Sequence, residues 1–289
     1  MSQAAMPLRV LDSVGLLRRG RLPLLMVPPI LIAAIVAVFA IFGPVLAPHD
    51  PNAQNLLETL QGPSRQYWLG TDDLGRDLAA RIIAGARTAV IGPVLVAVGA
   101  LVIGNTVGLV SGYFGGRLDA VIMRWVDLMY AMPGLLVAIV LIGVVGGGYA
   151  LAVALLVVLT APYDTRLVRG ATLEQRPLPY VEAARALGLP SWRIMFWHIW
   201  PNVLPLVVAN SFLNFAFSLV SLSALSFLGL GVGPGTPDWG RMLAENRNLL
   251  FGTPIAALAP AAMIVITAAS TNLIGDWLYE ALSDQGRAR

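Results

Sequence analysis

Residues Leu24–Leu46 read LLMVPPILIAAIVAVFAIFGPVL, a run of 23 residues that carries no charge. A bilayer core about 30 Å thick needs roughly 20 such residues in a helix, so the run predicts a membrane span. Arg18, Arg19 and Arg21 precede it, as they would precede the apolar core of a signal peptide. We favour the span, because the run is longer than the roughly 7–15 apolar residues of a signal peptide and no small-x-small cleavage site follows it.

Five further stretches qualify as spans, and with the first they predict an all-α integral membrane protein with six transmembrane helices. They are Ala89–Ser111, Val121–Val145, Gly148–Arg166, Val203–Gly229 and Pro254–Gly275. The composition of the 289 residues agrees, since hydrophobic residues make up 57% and charged residues only 12%. Soluble domains average roughly 45–50% and 25%, so the composition excludes a soluble globular protein, a disordered chain and a disulfide scaffold.

The arginines predict which side of the membrane the termini occupy. Six spans place both termini on one side, and 13 of the 19 arginines then lie on that side, with six on the other. Basic residues favour the cytoplasmic side of a membrane. We therefore expect a multi-pass protein of the cytoplasmic (inner) membrane with both termini in the cytoplasm. This placement also accounts for the net charge of +3 better than a nucleic-acid partner does.

Several kinds of chemistry require residues that the sequence lacks. It has no Cys and no Lys, and its two histidines, His49 and His198, are far apart. A thiolate nucleophile, a P-loop lysine and a Schiff-base lysine are excluded, and a multi-His metal site is not expected. Only scattered carboxylates remain. We therefore predict no catalytic, cofactor-binding or metal-binding residues, and a membrane enzyme or an ATPase-independent carrier is the weaker alternative.

The loop between the fourth and fifth spans, residues 167–202, predicts two short helices. The first begins near Pro179 and ends at Gly188, the usual order of proline at the start and glycine past the end. The second begins at Ser191 as N-cap and ends at Pro201, with apolar residues typical of a helix that lies along the membrane surface. These residues alone leave open whether the segment is only an amphipathic cytoplasmic loop.

The first outer loop, residues 47–88, contains a turn at Gly70–Asp73 that is followed by apolar residues at helical spacing. It predicts an amphipathic helix that leads into the second span. Either this helix only braces the entry into the membrane, or its surface receives an extracytoplasmic binding protein. In the second case the contact residues are Asp72, Asp73, Arg76, Asp77 and, from the loop before the sixth span, Trp239. That later loop also predicts a short helix that starts at Thr236-Pro237 and ends at Asn246, which is either a capping element over the pathway or part of a plain loop.

Polar side chains at membrane depth follow one face of the fifth span. They are Asn210, Asn214, Ser218 and Ser221, spaced by four, four and three residues. The stripe either lines a water-filled substrate path or joins neighbouring helices by hydrogen bonds. Near the start of the third span, Arg124 and Asp127 are three residues apart and are expected to pair with each other.

The segment at residues 179–205, PYVEAARALGLPSWRIMFWHIWPNVLP, resembles the EAA loop of ABC importer permeases. The match consists of Glu182-Ala183-Ala184, Gly188, Ile199 and Pro201, with Trp200 where that family often has Leu. In that family the loop docks in a cleft of the ATPase subunit. The resemblance therefore implies a set of ATPase-coupling residues, namely Tyr180, Glu182, Ala183, Ala184, Arg185 and Gly188.

Two further stretches resemble the C-type permease subunit of dipeptide/oligopeptide importers. Residues 68–90, WLGTDDLGRDLAARIIAGARTAV, are similar to its GTDxxGRDxxSRxxxGxR stretch, with Ala80 in place of Ser. Residues 225–248, LSFLGLGVGPGTPDWGRMLAENRN, are similar to its LSFLGLGxxPPxPxWGxML stretch, with Pro234-Gly235 in place of Pro-Pro. The three stretches follow one another in the order that this family has.

The resemblance implies the type I ABC importer permease fold and the transmembrane subunit of an ATP-driven importer of dipeptides or oligopeptides. Glutathione and a nickel chelate, which relatives of this family carry, stay open as substrates. The implied partners are a homologous B-type permease subunit, one or two cytoplasmic ATPase subunits that bind ATP and Mg, an extracytoplasmic peptide-binding protein and membrane lipid. No cofactor in this chain and no nucleic acid are implied.

The predicted organisation follows from these assignments. An N-terminal cytoplasmic segment (1–23) precedes the first span (24–46) and the outer loop (47–88). The permease core (89–275) contains five spans and the coupling loop (167–202), and a cytoplasmic tail (276–289) ends the chain.

Overall fold

The chain folds almost entirely into helices. A computed structural model describes the backbone of residues 24–287 and the side chains of residues 24–282, so the predicted segment 1–23 lies outside the described residues. In the described part, the one β-type pairing is an isolated bridge between Thr71 and Asp77. The helices are α1 (Val27–Leu46), α2 (Leu78–Phe114), α3 (Gly116–Tyr130), α4 (Gly134–Val145), α5 (Tyr149–Gln175), α6 (Pro179–Ala186), α7 (Ser191–Arg193), α8 (Trp200–Phe227), α9 (Trp239–Asn246) and α10 (Ile255–Arg287).

Five helical segments are long and apolar enough to cross a membrane. They are Leu24–Leu46, Leu78–Phe114, Tyr149–Gln175, Ser191–Phe227 and Ile255–Leu282. A sixth span exists if α3 and α4 cross as one unit. The predicted all-α membrane class is therefore confirmed, with five or six candidate spans for the predicted six, and the helices run past the predicted ends. The fourth span continues to Gln175 instead of ending at Arg166, and α10 continues through most of the predicted tail to Arg287.

The third predicted span, Val121–Val145, is not one straight helix. The chain bends by 80° between α3 and α4. Met132 precedes Pro133, and the ring of a proline disfavours helical backbone at the residue before it. Pro133 then stands as the N-cap of α4, with its φ at −64°. The single proline therefore ends one helix and starts the next in a different direction.

The second helix predicted in the loop, Ser191–Pro201, is also not a separate element. It begins at Ser191 as expected, but it continues through a π-helical turn, Ile194–Ile199, directly into α8. Pro201 has no N–H to give to the carbonyl four residues earlier, which an α-helix requires. The wider turn takes up this mismatch, and the amide of Trp200 bonds to the carbonyl of Met195. The loop proper is therefore confined to residues 176–190.

The helix predicted in the first outer loop is the beginning of α2. Asp77 is its N-cap, and the Asp77 carboxylate accepts hydrogen bonds from the amides of Ala79 (2.8 Å) and Ala80 (3.3 Å). The first nine residues of α2 are almost all buried, so this segment has no exposed polar face of the kind that an amphipathic surface helix shows. The start of α2 is therefore a packed part of the fold.

Helices α2 and α5 pack closely because three glycines of α2 face α5 at a spacing of four residues. A Cβ at Gly104 would lie 2.2 Å from the Cβ of Asp164, and one at Gly108 would lie 2.7 Å from the carbonyl oxygen of Thr165. A Cβ at Gly112 would meet the Thr172 side chain at 2.7 Å. Such small-residue stripes allow membrane helices to approach each other at backbone distance.

Two ion pairs hold α3 against α5. The Arg169 guanidinium donates from Nε and Nη2 to the two carboxylate oxygens of Asp119 at 2.5 and 2.6 Å. Asp127 pairs with Arg166 of α5 and not with Arg124, so the predicted pairing within α3 is wrong. The helical spacing of three residues permitted that local pair, but the bend at Pro133 brings Arg166 to Asp127 first.

Candidate functional site

Helix α6 has well-defined ends that follow directly from its sequence. Pro179 occupies the first turn, where its missing N–H costs nothing. At the other end the amide of Leu189 bonds to the carbonyl of Ala184 (3.2 Å) and the amide of Gly188 to that of Arg185 (2.9 Å). This is a Schellman motif, which needs a left-handed residue after the helix, and Gly188 supplies it with φ of +73°. The predicted helix from Pro179 to Gly188 is confirmed.

One face of α6 is fixed to the body of the protein. Val181 is fully buried and Ala184 is 4% exposed. Both belong to a hydrophobic cluster built from α2, α5, the π-helical turn and α8, whose other buried members are Leu109, Tyr113, Val168, Ile194, Met195, Ile199, Val203 and Val207. Ala184, predicted as a coupling residue, therefore faces the protein's own core and holds the helix in place.

The opposite face of α6 is open. Glu182, Ala183, Arg185 and Gly188 are all exposed, as a surface for another protein requires. The Arg185 guanidinium lies over the ring of Tyr113 at 5.1 Å, so its position is set by a contact with α2. Leu187, which was not among the predicted coupling residues, is an apolar side chain that is 80% exposed at the end of this face. Its place beside the helix-ending glycine was the signal that could have identified it.

Tyr180 connects α6 to the helices on either side of the loop. It is half-buried; its hydroxyl donates to the Gln175 side chain (2.9 Å) and accepts from Asn202 (3.4 Å). Burial raises the pKa of the Tyr180 hydroxyl above its ordinary value, and the hydrogen bond from Asn202 partly offsets this. Tyr180 thus braces the start of α6 and presents little surface of its own.

The polar stripe of α8 lies inside the chain. Asn210 and Asn214 both donate to the carboxylate of Asp164 on α5, at 2.6 Å and at 2.8 and 3.0 Å. Ser218 is fully buried and Ser221 is 5% exposed. The hydrogen bonds support helix joining for the two asparagines. Lining a water-filled path requires an exposure that Asn214, Ser218 and Ser221 lack in this conformation, whereas Asn210 is half-buried. Asp164 was assigned no role from the sequence, because its partners are 46 and 50 residues away.

The residues predicted to contact a binding protein lie at the opposite end of the helices from α6. We call this region the α9 cap; it comprises residues 47–86 and 229–254. Asp72, Arg76, Asp77 and Trp239 are each no more than 3% exposed, and of the five predicted residues Asp73 alone is exposed. Contact with another protein at this site therefore stays a prediction for Asp73, and burial makes the other four structural in this conformation.

The buried charges of the α9 cap form one network. Glu245 of α9 accepts from Arg76 (2.9 Å) and Arg81 (3.0 Å) of the first loop and α2, and from Arg241 (3.2 Å) of its own helix. Asp72 accepts from Arg76 Nε at 2.6 Å. Burial alone would raise the pKa of the Glu245 carboxyl, but Arg81, Arg76 and the hydrogen bond from Arg241 hold it below its usual range.

Trp239 attaches α9 to α2 beside this network. Its indole is fully buried and donates from Nε1 to the carbonyl of Ile82 at 2.9 Å. Gly85 of α2 makes room for the ring, since a Cβ there would lie 3.1 Å from it. The predicted short helix ending at Asn246 is confirmed as α9, which starts at Trp239 with Asp238 as its N-cap.

Comparison with known proteins places these features in one family. Residues 104–285 match the family described as the binding-protein-dependent transport system inner membrane component. The chain belongs to this family. Residues 30–63 also match the N-terminal transmembrane domain of oligopeptide transport permease C. The family expected from the three motifs is therefore confirmed, and the chain is a multi-pass permease component of the inner membrane.

Individual relatives cover most of the permease chain. It is 37% identical over 255 residues to the glutathione transport system permease protein GsiD of Pectobacterium atrosepticum, covering 87% of this chain and 84% of the relative. It is 37% identical over 245 residues to the dipeptide transport system permease protein DppC of Alkalihalophilus pseudofirmus, covering 85% and 81%. The probable D,D-dipeptide transport system permease protein DdpC of Escherichia coli is 35% identical over 251 residues, covering 87% and 84%.

A solved structure confirms the fold of the permease. A chain of the MetNI methionine ABC transporter, in an inward-facing conformation, matches with a TM-score of 0.58 and 19% identity, covering 70% of this chain and 96% of that chain. At this identity the match concerns the fold alone. The type I ABC importer permease fold is therefore shown for the matched part.

Proposed function

We propose that this permease is one of two transmembrane subunits of an ATP-driven importer of short peptides, and that α6 is its contact with a separate ATPase. The observation that carries the proposal is the two-sided environment of α6. Val181 and Ala184 fix one face to the bundle, while Glu182, Ala183, Arg185 and Leu187 stay exposed on the other. A helix held in this way can transmit a push from a partner without being pulled off its own subunit.

Short peptides are the substrate class that the relatives favour. The three relatives are named for a dipeptide, a D,D-dipeptide and glutathione, which is itself a tripeptide. Sequence identity does not distinguish a dipeptide from glutathione as the substrate, because the relatives named for them are both 37% identical to this chain. We therefore propose that the substrate is a peptide of two or three residues. Selectivity for its side chains then lies in the extracytoplasmic binding protein.

The proposed partners follow from the two ends of the bundle. The α6 end faces the cytoplasm and the ATPase, an orientation that the excess of arginines on that side supports. The α9 cap then faces the extracytoplasmic binding protein, with the exposed Asp73 available for contact. A homologous permease subunit completes the path. ATP and Mg would bind to the ATPase subunits, and this chain needs no catalytic residue for the cycle.

Coupling requires that α6 has different contact energies in the two states of the ATPase, because a partner can shift a conformational equilibrium only by its differential affinity. The exposed face of α6 is the part of this region that can make such contacts. The cluster beneath Val181 and Ala184 would then carry the displacement into α2, α5 and α8, from which its members come.

The test uses the complete importer, with this chain, the second permease, the ATPase and the binding protein, in proteoliposomes. Uptake of a labelled dipeptide and ATP hydrolysis are measured together. Glu182→Lys should lower both by about tenfold or more, within the range of measured couplings between sites. The matched control is Glu174→Lys, an exposed acid of α5 near the same end, and it should leave both rates unchanged. Normal uptake with Glu182→Lys, or transport by this chain alone, would overturn the proposal.

A further inference from the structure

Asp164 is a buried carboxylate whose hydrogen bonds come from neutral donors. It is 4% exposed, and it lies within the span formed by α5. Its two oxygens accept from the side-chain amides of Asn210 and Asn214 on α8, while the ion pairs of the described residues all involve other carboxylates. A carboxylate at this depth is costly, so its retention points to a specific task. We call Asp164, Asn210 and Asn214 the polar clamp.

The carboxylate of the polar clamp is closely packed, whereas Asn210 is half-buried. Gly104 of α2 lies against Asp164, where a Cβ would come within 2.2 Å of the Asp164 Cβ. The gap beside Asp164, Asn105 and Asn210 is too small to admit a water molecule. The carboxylate therefore cannot turn towards α2, and the two asparagines hold its position while α5 and α8 stay together.

The polar clamp joins the two helices that lie directly before and after the loop containing α6. Helix α5 leads into the loop that contains α6, and the loop leads into α8. Asp164 and Asn210 therefore close a loop of chain whose tip is α6. Near the tip the same two helices are joined again by the hydrophobic cluster beneath α6, through Val168 of α5 and Val203 of α8. A second hydrophobic cluster joins the two helices on the other side of the clamp, through Leu156 of α5 and Leu222 of α8. The polar clamp therefore lies between two apolar contacts of α5 with α8.

We propose that Asp164 is a positioning residue that makes α5 and α8 move as one body when α6 is displaced. With the apolar contacts alone, a push on α6 could slide or rotate α5 against α8, because apolar contacts have no preferred direction, and the displacement would be lost within the membrane. The charge-assisted bonds of the clamp are directional and lie between the two apolar contacts, so they oppose this sliding. The inference rests on the proposed function, because it takes α6 to be the element that the ATPase moves.

The first measurement is the number of ATP molecules hydrolysed per peptide taken up by the complete importer. Asp164→Leu fills the site without accepting a hydrogen bond and should raise this ratio about threefold or more, a size seen for residues that couple distant sites. Asp164→Asn keeps one acceptor and should give a smaller rise. Thr267→Val is the control, because Thr267 is also buried among the helices but has no role in the clamp, and it should leave the ratio unchanged.

The second measurement follows the two helices directly in the assembled importer. The chain has no cysteine, so Val158→Cys on α5 and Leu213→Cys on α8 give unique sites for spin labels, and both side chains are exposed. The label-to-label distance distribution should be narrow in the parent chain and broader with Asp164→Leu. An unchanged ratio together with an unchanged distribution would overturn the proposal.

Two outcomes of these measurements need a further step. If Asp164→Leu does not assemble, Asn214→Ala, which removes one donor only, takes its place, and an unchanged ratio and distribution there would equally overturn the clamp. If the parent importer takes up no peptide, the proposed function fails by itself. The distance distribution in the assembled importer still decides whether Asp164 fixes α5 to α8.

Discussion

Arg81 of α2 and Glu245 of α9 are 164 residues apart in the chain, and their side chains meet at 3.0 Å in a buried ion pair. Arg81 is fully buried, and its other terminal nitrogen, Nη1, faces the carbonyls of Pro51 (3.3 Å) and Gly235 (3.4 Å). A single guanidinium thus joins the first loop, the start of α2 and the segment around α9.

Removal of Arg81 should therefore loosen the α9 cap. Arg81→Gln leaves Glu245 and Asp72 short of a cation in a buried site, and breaking a buried pair in this way costs about 3 kcal/mol or more. We expect a clear fall in Tm of the detergent-solubilised protein, measured by thermal unfolding. Arg65→Gln, which removes an exposed arginine of the same loop, should change stability by less than about 0.5 kcal/mol. Equal Tm values for the two variants would contradict the structural role of Arg81.

The same network predicts how stability depends on pH. The pKa of Glu245 is held below its ordinary value of 4.5, so the ionised carboxylate favours the folded state. This contribution is present above pH 4.5 and is lost as the pH falls through the lowered pKa of the folded protein. Tm measured from pH 7 down to pH 3 should fall more steeply for the parent chain than for Glu245→Gln. Parallel curves would show that Glu245 is not part of a charged network.

The exposed end of α6 gives a prediction about binding. Leu187→Glu places a charge where an apolar side chain is 80% exposed, so it should leave folding unchanged and weaken binding of the ATPase. Binding is measured by co-purification in mild detergent and by the ATP hydrolysis of the complex. Leu57→Glu places the same charge on a leucine that is 93% exposed in the α9 cap, at the opposite end of the helices, and should leave ATPase binding unchanged. Equal binding of the ATPase by the two variants would contradict the assignment of Leu187.

Two glycines, one inside the α2–α5 contact and one with open space around it, should respond in opposite ways to a larger side chain. At Gly108 a Cβ would meet the carbonyl oxygen of Thr165 at 2.7 Å and Val168 at 2.8 Å, so Gly108→Val should force the helices apart and prevent folding. Gly170 of α5 has open space at its Cβ position. Gly170→Ala should therefore be neutral or stabilise by about 0.5–1 kcal/mol, as expected for alanine in place of glycine within a helix. The yield of folded protein by gel filtration and its Tm check both.

Local signals in the sequence were sufficient to predict much of the fold. Apolar length identified the membrane-crossing segments, and Pro179 and Gly188 set the ends of α6, because both effects act within a few residues. Pro133 was also a usable signal for the bend between α3 and α4, although the apolar run around it outweighed it in the sequence analysis. The spacing of Gly104, Gly108 and Gly112 was a signal for close helix packing that the sequence analysis did not use.

The polar networks could not be predicted, because each depends on distant residues that meet only in three dimensions. Asp72 and Arg76 read as an exposed turn from their neighbours, and only Glu245, 169 residues after Arg76, makes them a buried network. Asn210 and Asn214 share a helix face in the sequence, but the hydrogen bonds that favour a helix contact over a substrate path go to Asp164 on another helix. The spacing of polar residues shows which of them share one face of a helix, but it does not show which other helix packs against that face.

Helix α4 is too short to cross the hydrocarbon core of a bilayer by itself. Its 12 residues rise about 18 Å, whereas a bilayer core is about 30 Å thick. Helix α3 adds little to this depth, because it bends away from α4 by 80°. Acyl chains beside α4 would therefore shorten or tilt, at a fraction of a kcal/mol for each ångström of mismatch. This permease should therefore respond to lipid chain length, and the thickness of the host membrane becomes one of the variables that set its activity.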